Sequence, residues 1–122
     1  MKIHESGENY LETILILQKK LGSVRSIDIV NELDYSKPSI SRAIGILKKE
    51  GYVTVESGGN IILTDKGLEK ANNIYERHLL LTRFLSDVLG VGMETAAQDA
   101  CRIEHVISQE SFDRMKEYME KY

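Results

Sequence analysis

The spacing of apolar residues along the chain predicts a protein built mainly from α-helices. In the first half, apolar side chains recur every three or four residues over positions 7–20, 27–33 and 38–50, as they do on one face of a helix. Pro38, the only proline, suits the first turn of the third of these helices, and Gly51 suits its end. We therefore expect three short helices separated by tight turns.

The pattern changes to alternation directly after Gly51. The segments YVTVE and IILT read as two short strands, and GGN between them reads as their turn. Helical spacing returns after Thr64, which can cap a long helix over residues 65–89. Two glycines end that helix, and two further helices are expected over residues 94–107 and from Ser108 to the C-terminus.

The order helix, helix, turn, helix, hairpin is that of a winged helix-turn-helix, in which the third helix reads DNA. The fold class is therefore mostly α. We expect a winged helix-turn-helix DNA-binding domain over residues 1–73, followed by a helical domain over residues 74–122.

The charge distribution supports DNA binding by the first half. The whole chain carries a net charge of −3, but residues 19–51 hold seven Lys or Arg against four acids. A basic cluster at the predicted reading elements is typical of phosphate contact. The acidic remainder of the chain suits a bound cation.

Other features of the sequence indicate the cellular compartment. No apolar run approaches the length of a membrane span, the N-terminus does not resemble a secretory signal, and one cysteine cannot form an internal disulfide. We expect a cytoplasmic protein with no membrane partner. Nothing beyond the candidate ligands offers a second carboxylate or nucleophile constellation for catalysis, so we expect neither an enzyme nor an organic substrate.

The third helix carries the candidate DNA contacts. Small hydroxyls near its start can approach base edges or phosphates, and Arg42 can bind guanine or clamp a phosphate. Basic residues at its far end and at the start of the second helix suit phosphates. The alternative for any one of these residues is a solvated surface. The candidates are Arg25, Ser26, Ser36, Lys37, Pro38, Ser39, Ser41, Arg42 and Lys49.

A second cluster indicates metal binding. Cys101, Glu104 and His105 lie three and four residues apart, so on a helix a thiol, a carboxylate and an imidazole would share one face. Such a set suits a borderline divalent cation. His78 lies on the apolar stripe of the long helix that should face this cluster. The alternative is a packed cysteine and a packed histidine, which are common in cores.

The first helix adds two candidate ligands. Asn9 and Glu12 are three residues apart and share a face. A site built from three helices would tie metal binding to the DNA-binding half, which makes a metal sensor the favoured reading.

Six segments resemble the iron- and manganese-dependent repressors of the DtxR/MntR family across essentially the whole chain. They are ENYLETI, SKPSISRAI, GYV, ILTDKG, ERHLLLTRFL and ACRIEHVIS. The length resembles the short, two-domain members that lack an SH3-like domain. The resemblance implies a repressor that binds a palindromic DNA operator as a homodimer when loaded with metal. It thereby controls metal uptake and homeostasis genes, and residues 74–122 form a metal-binding and dimerisation domain.

The resemblance also implies roles for single residues. Cys101 is typical of the iron branch and Glu12 of the manganese branch, whereas Asn9 matches neither. Thr82 and Ala97 stand where the iron branch has an ancillary site, and they cannot replace its ligands. Because a thiolate suits iron better than manganese, we expect one primary site with Fe²⁺ first and Mn²⁺ second. A second ion sharing Glu12, Glu104 and His105 stays open.

Two alternatives remain at this point. One is a winged-helix transcriptional regulator that does not sense metal. The other is a small metalloenzyme, which the lack of further catalytic groups disfavours. Apolar surface around the fifth helix also favours a dimer, because a small domain cannot easily bury it alone. The alternative is that the long helix buries this surface within one chain, and we favour the dimer mainly because of the family resemblance.

Overall fold

The computed structural model describes the backbone of residues 5–121 and the side chains of residues 7–121. The chain divides into two compact units, with the boundary between Asn72 and Asn73. Within the described residues, no helix is long and apolar enough to cross a membrane.

The first unit is a winged helix-turn-helix. Its elements are α1 (Glu5–Leu21), α2 (Ser26–Leu33), α3 (Lys37–Lys49), β1 (Val53–Val55), β2 (Ile61–Leu63) and the beginning of α4 (Asp65–Arg83). The strands are antiparallel, with Val53 opposite Leu63 and Val55 opposite Ile61. The predicted mostly helical fold class, with a hairpin after the third helix, is confirmed.

Local chemistry sets the turns of this unit. Ser36 caps α3, since its Oγ accepts a hydrogen bond from the N–H of Ser39. At the other end of α3, Gly51 takes a left-handed backbone (φ +85°) and the N–H of Tyr52 donates to the carbonyl of Leu47. This is a Schellman ending, which turns the chain directly into β1.

The core of the first unit joins its three helices to the hairpin. The larger side chains exposed by less than 2% are those of Leu11, Ile14, Val24, Ile29, Ile40 and Val53. They come from α1, the loop before α2, α2, α3 and β1, so the reading helix is held on several sides.

The second unit contains most of α4, then α5 (Met93–Ile103) and α6 (Gln109–Lys121). Leu81, Ala96, Ala100 and Phe112 are buried in it. Thr64 caps α4 as predicted, because its Oγ1 accepts from the N–H of Gly67.

Two helix boundaries differ from the sequence-based expectation. The helix expected over residues 65–89 is regular only to Arg83 and continues as a π-helical turn, Phe84–Val88. The fifth helix ends at Ile103 rather than at residue 107, with Glu104 as its C-cap. The apolar periodicity extends beyond both ends, so periodicity alone placed them too late.

Candidate metal centre and DNA-contacting surface

The α3 helix separates a buried face from an exposed one. Ile40, Ile44 and Leu47 are buried, which turns the opposite side of the helix to solvent. Seven of the predicted DNA contacts on this helix or at its N-cap are exposed: Ser36, Lys37, Pro38, Ser39, Ser41, Arg42 and Lys49. The structure thus presents them as one polar and basic surface, called here the α3 surface.

The hydroxyl of Ser36 is engaged within this surface. It donates to Oγ of Ser39 at 2.8 Å while accepting from the N–H of the same residue. The hydroxyls of Ser36 and Ser39 are therefore exposed to solvent and also stabilise the start of α3.

Arg25 has a structural partner that the sequence did not reveal. Its guanidinium donates to the carbonyl of Gly58, in the turn between the two strands. Its own N–H donates to Oδ2 of Asp28 at 2.9 Å, at the start of α2. Arg25 is exposed and thus joins α2 to the hairpin turn, and Ser26 beside it is half-buried.

The hairpin turn fits closely around this arginine. Gly59 has a left-handed backbone (φ +89°), and a Cβ placed there would lie 3.2 Å from Nη2 of Arg25. Glycine is therefore favoured at this position by backbone conformation and by space.

One contact joins α1 to the start of α3. The rings of Tyr10 and Tyr35 meet edge to face with centroids 6.0 Å apart, and Tyr35 directly precedes the Ser36 cap. Burial raises the pKa of Tyr10, and the neighbouring Tyr35 raises it further. This pair connects the helix that carries Asn9 and Glu12 with the reading helix.

In the second unit, His78, Cys101 and Glu104 form a compact cluster. One potential ligand atom from each lies within 4.8 Å of those of the others. Nδ1 of His78 lies 2.9 Å from Oε2 of Glu104, whose side chain is fully buried. A buried carboxylate is costly unless it is paired, and His78 supplies a hydrogen-bond partner.

The three side chains of this cluster come from α4, from α5 and from the C-cap of α5. His78 lies on α4 and Cys101 in the last turns of α5, and Glu104 is the C-cap that still has helical backbone (φ −57°, ψ −26°). The N–H of Glu104 donates to the carbonyl of Ala100 at 2.9 Å. Because the helical geometry continues to Glu104, its side chain shares a face with that of Cys101.

His105 lies beside this cluster. Its Nε2 is 3.3 Å from Oε1 of Glu104, and its side chain is 3% exposed. The cluster within 4.8 Å does not include it. Since α5 ends at Ile103, the turn that follows the helix places His105.

The two candidates on α1 belong to the first unit. Glu12 is 5% exposed, and Asn9 is half-buried with its carbonyl accepting from Oγ1 of Thr13 at 2.8 Å. The hydroxyl of Thr82, in the second unit, donates to the carbonyl of His78 at 2.7 Å, and Ala97 has no polar side chain.

The donor set fits a borderline divalent cation. Imidazole, thiolate and carboxylate together suit ions between the hard and soft extremes. Ligand atoms at about 2.0–2.3 Å from one ion lie roughly 3–4.5 Å apart. A separation of at most 4.8 Å therefore needs only a small closing movement.

Arg77 and Gln109 are neighbours of this site that were not predicted from the sequence. The guanidinium of Arg77 donates to the carbonyls of Glu104 and Ile107 and to the side chain of Gln109. A charged residue on an amphipathic helix usually reads as solvated surface. In the sequence, only the position of Arg77 next to His78 indicated that it could lie near the site.

The chain combines a winged helix-turn-helix unit with a helical unit that holds an imidazole, a thiol and a carboxylate. This combination defines a class of DNA-binding proteins that respond to a metal. Two family models match the chain. Residues 2–59 match the N-terminal DNA-binding domain of iron-dependent repressors, and residues 64–122 match their metal-binding and dimerisation domain. The protein belongs to the iron-dependent repressor family, whose members are transcriptional regulators.

Individual relatives agree with this assignment. An uncharacterised HTH-type transcriptional regulator of Methanocaldococcus jannaschii is 33% identical over 97% of this chain and 95% of its own length. The HTH-type transcriptional regulator MntR of Listeria welshimeri is 36% identical over 90% of this chain and 77% of its own length.

The solved structure of T. acidophilum IdeR has a TM-score of 0.82 and 26% identity. That match covers 98% of this chain and 55% of the other, so the chain spans about half the length of this solved regulator.

Proposed function

We propose that this protein is a transcriptional repressor that binds a palindromic operator as a homodimer when loaded with Fe²⁺ or Mn²⁺. Its targets in this proposal are genes of metal uptake and homeostasis. The observation that carries the proposal is the cluster of His78, Cys101 and Glu104 within 4.8 Å, in a chain whose other unit is a winged helix-turn-helix.

The proposed ligand set extends beyond this cluster. His105 is close enough to Glu104 to join through a small rotation of the turn that carries it. Asn9 and Glu12 are proposed as ligands from α1. Glu12 supports this role by its chemistry, because its carboxylate oxygens are ligands that Fe²⁺ and Mn²⁺ both accept.

The choice of metal follows from the donor atoms. The Cys101 thiolate favours Fe²⁺ over Mn²⁺, which prefers oxygen ligands. A bound divalent cation would neutralise the thiolate and the buried Glu104 carboxylate. We propose one primary ion per chain, since Thr82 uses its hydroxyl on the His78 carbonyl and Ala97 offers no ligand.

DNA recognition is proposed for the α3 surface. Arg42 is exposed on the face opposite the buried Ile44, where its guanidinium can make a bidentate contact with guanine or a phosphate. Lys37 and Lys49, at the two ends of the helix, suit phosphates. Arg25 and Ser26, at the start of α2, are proposed to contact phosphates of the DNA backbone.

The coupling between metal and DNA is proposed to run through α1. Ligands on this helix restrict its motion, and the Tyr10–Tyr35 contact leads from α1 to the beginning of α3. A less mobile dimer holds its two reading helices about 34 Å apart, one turn of duplex DNA. Linkage of this kind typically changes DNA affinity by about 5–150-fold.

Selection from a random pool of duplex DNA tests the proposal. The selection is run anaerobically with Fe²⁺, with Mn²⁺ and with a chelator. We expect palindromes with half-sites one helical turn apart to be enriched only with metal. Equal enrichment with the chelator would instead establish a winged-helix regulator that does not respond to metal.

A further inference from the structure

Arg77 holds the turn that follows α5. Its Nη1 donates to the carbonyl oxygen of Glu104 at 3.2 Å and to that of Ile107 at 3.0 Å, and its Nη2 donates to Oε1 of Gln109 at 2.7 Å. One guanidinium therefore joins α4, the turn over residues 104–107 and the first residue of α6.

The carbonyls of Glu104 and Ile107 lie beyond the last residue of α5, so no hydrogen bond within that helix satisfies them. The last carbonyls of a helix have no partner within it. The carbonyls of Ala100 and Ile103 accept from the N–H groups of Glu104 and Ile107. Those of Glu104 and Ile107 accept from Arg77, and the rigid fork of guanidinium donors can serve both at once.

The arginine is itself held in place. Gln109, which accepts from Nη2, donates through Nε2 to Oδ1 of Asp113 at 2.8 Å. The guanidinium carbon lies 5.5 Å from the ring centroid of Phe112, a residue that is 4% exposed. These contacts fix the side-chain conformation of Arg77 from two sides.

We propose that Arg77 is a positioning residue for the metal centre. By holding the carbonyls of Glu104 and Ile107, it fixes the backbone from which the Glu104 carboxylate and the His105 imidazole project. It touches the backbone of these residues and acts on the ligand atoms through it. This inference rests on the proposed metal-binding function and adds a supporting residue to it.

Charge alone makes the opposite prediction. A guanidinium near a cation site repels the cation, so removal of its charge would tighten metal binding. Loss of positioning weakens metal binding instead. The sign of the change in affinity therefore separates the two roles.

The test uses Arg77→Gln and Arg77→Lys in the full chain. Arg114→Gln is the matched control, since Arg114 is exposed and pairs with Glu117 on its own helix. Mn²⁺ affinity is measured by electron paramagnetic resonance, and ligand geometry by the visible absorption of the Co²⁺ form. Thermal melting of the metal-free proteins is followed in parallel.

We expect Arg77→Gln to weaken Mn²⁺ binding by about 10–100-fold, as outer partners of metal ligands typically do. It should also alter the Co²⁺ spectrum. Arg77→Lys should also weaken binding, because one ammonium cannot span both carbonyls and Gln109. The effect should be smaller than that of Arg77→Gln, because a long charged side chain can still donate to part of this set. Arg114→Gln should behave like the unmodified protein.

Unchanged or tighter Mn²⁺ binding by folded Arg77→Gln would overturn the inference, even if its melting temperature fell. If Arg77→Gln does not fold, Gln109→Ala decides: it removes one of the three contacts and should weaken binding by a smaller factor, and no weakening would overturn the inference. If the unmodified protein itself binds neither Mn²⁺ nor Co²⁺, the proposed function fails, which is a distinct result.

Discussion

Nδ1 of His78 lies 2.9 Å from Oε2 of Glu104, and the Glu104 side chain is fully buried. The histidine comes from α4 and the carboxylate from the end of α5, so the contact joins the two elements that also bring Cys101 close. A buried carboxylate with an imidazole and a thiol beside it is poorly suited to a core and well suited to a divalent cation.

Glu104→Gln tests the contribution of this carboxylate. The amide has nearly the same shape but lacks the charge, so the metal loses an anionic ligand. We expect metal affinity to fall by more than the ~100-fold upper figure for outer partners of ligands, as measured by anaerobic calorimetry. Glu117→Gln, on the exposed face of α6, is the control and should leave affinity unchanged. Full-strength binding by Glu104→Gln would remove Glu104 from the ligand set.

Cys101→Asp tests the source of metal preference. Replacement of the thiolate by oxygen should lower the affinity for Fe²⁺ and Co²⁺ relative to Mn²⁺. The intense sulfur-to-metal absorption of the Co²⁺ form should disappear. Competition titrations of the two proteins against Mn²⁺ give the ratio directly. If the absorption is missing already in the unmodified protein, Cys101 does not ligate.

The α3 surface makes two distinguishable predictions. Arg42→Ala should weaken binding to the selected operator by about 1–3 kcal/mol and relax its sequence preference, if Arg42 contacts a base. Lys49→Ala should weaken binding to all sequences and reduce the salt slope by about one. Fluorescence anisotropy over a range of salt concentrations measures both. Neither variant should change metal affinity, and any such change would count against a purely DNA-contacting role.

The hairpin turn offers a matched pair of glycines. Gly59→Ala places a Cβ at φ +89°, 3.2 Å from the Arg25 guanidinium, whereas a Cβ on Gly58 meets nothing within 4 Å. We expect Gly59→Ala to lower the free energy of unfolding by about 1–2 kcal/mol, and Gly58→Ala to lower it much less. Denaturant unfolding measures both values. Equal effects would show that neither the left-handed backbone at Gly59 nor its approach to Arg25 requires glycine there.

The sequence predicts those parts of the fold that depend on local patterns. The apolar stripe of α3, the Ser36 start with Pro38 and the left-handed Gly51 are all local, and the structure has a helix with those ends. Likewise, the three-residue spacing of Cys101 and Glu104 is enough to place both side chains on one helical face.

Features set by distant residues were not predictable in this way. The α5 helix ends at Ile103, and the guanidinium of Arg77 on α4 donates to the carbonyls of the turn that follows. The contact between Arg25 and the carbonyl of Gly58 joins residues 33 positions apart, so the sequence did not reveal it. Backbone acceptors leave no trace in the amino-acid pattern, so such contacts appear only in the folded chain.

The central claim is that metal binding at the His78–Cys101–Glu104 cluster controls DNA binding. The most direct measurement is operator affinity by anisotropy during an anaerobic Fe²⁺ titration, for the unmodified protein and for Glu104→Gln. We predict an affinity gain of about 5–150-fold for the unmodified protein and none for Glu104→Gln over the same range. Equal operator affinity with and without Fe²⁺ or Mn²⁺ in the unmodified protein would contradict the claim.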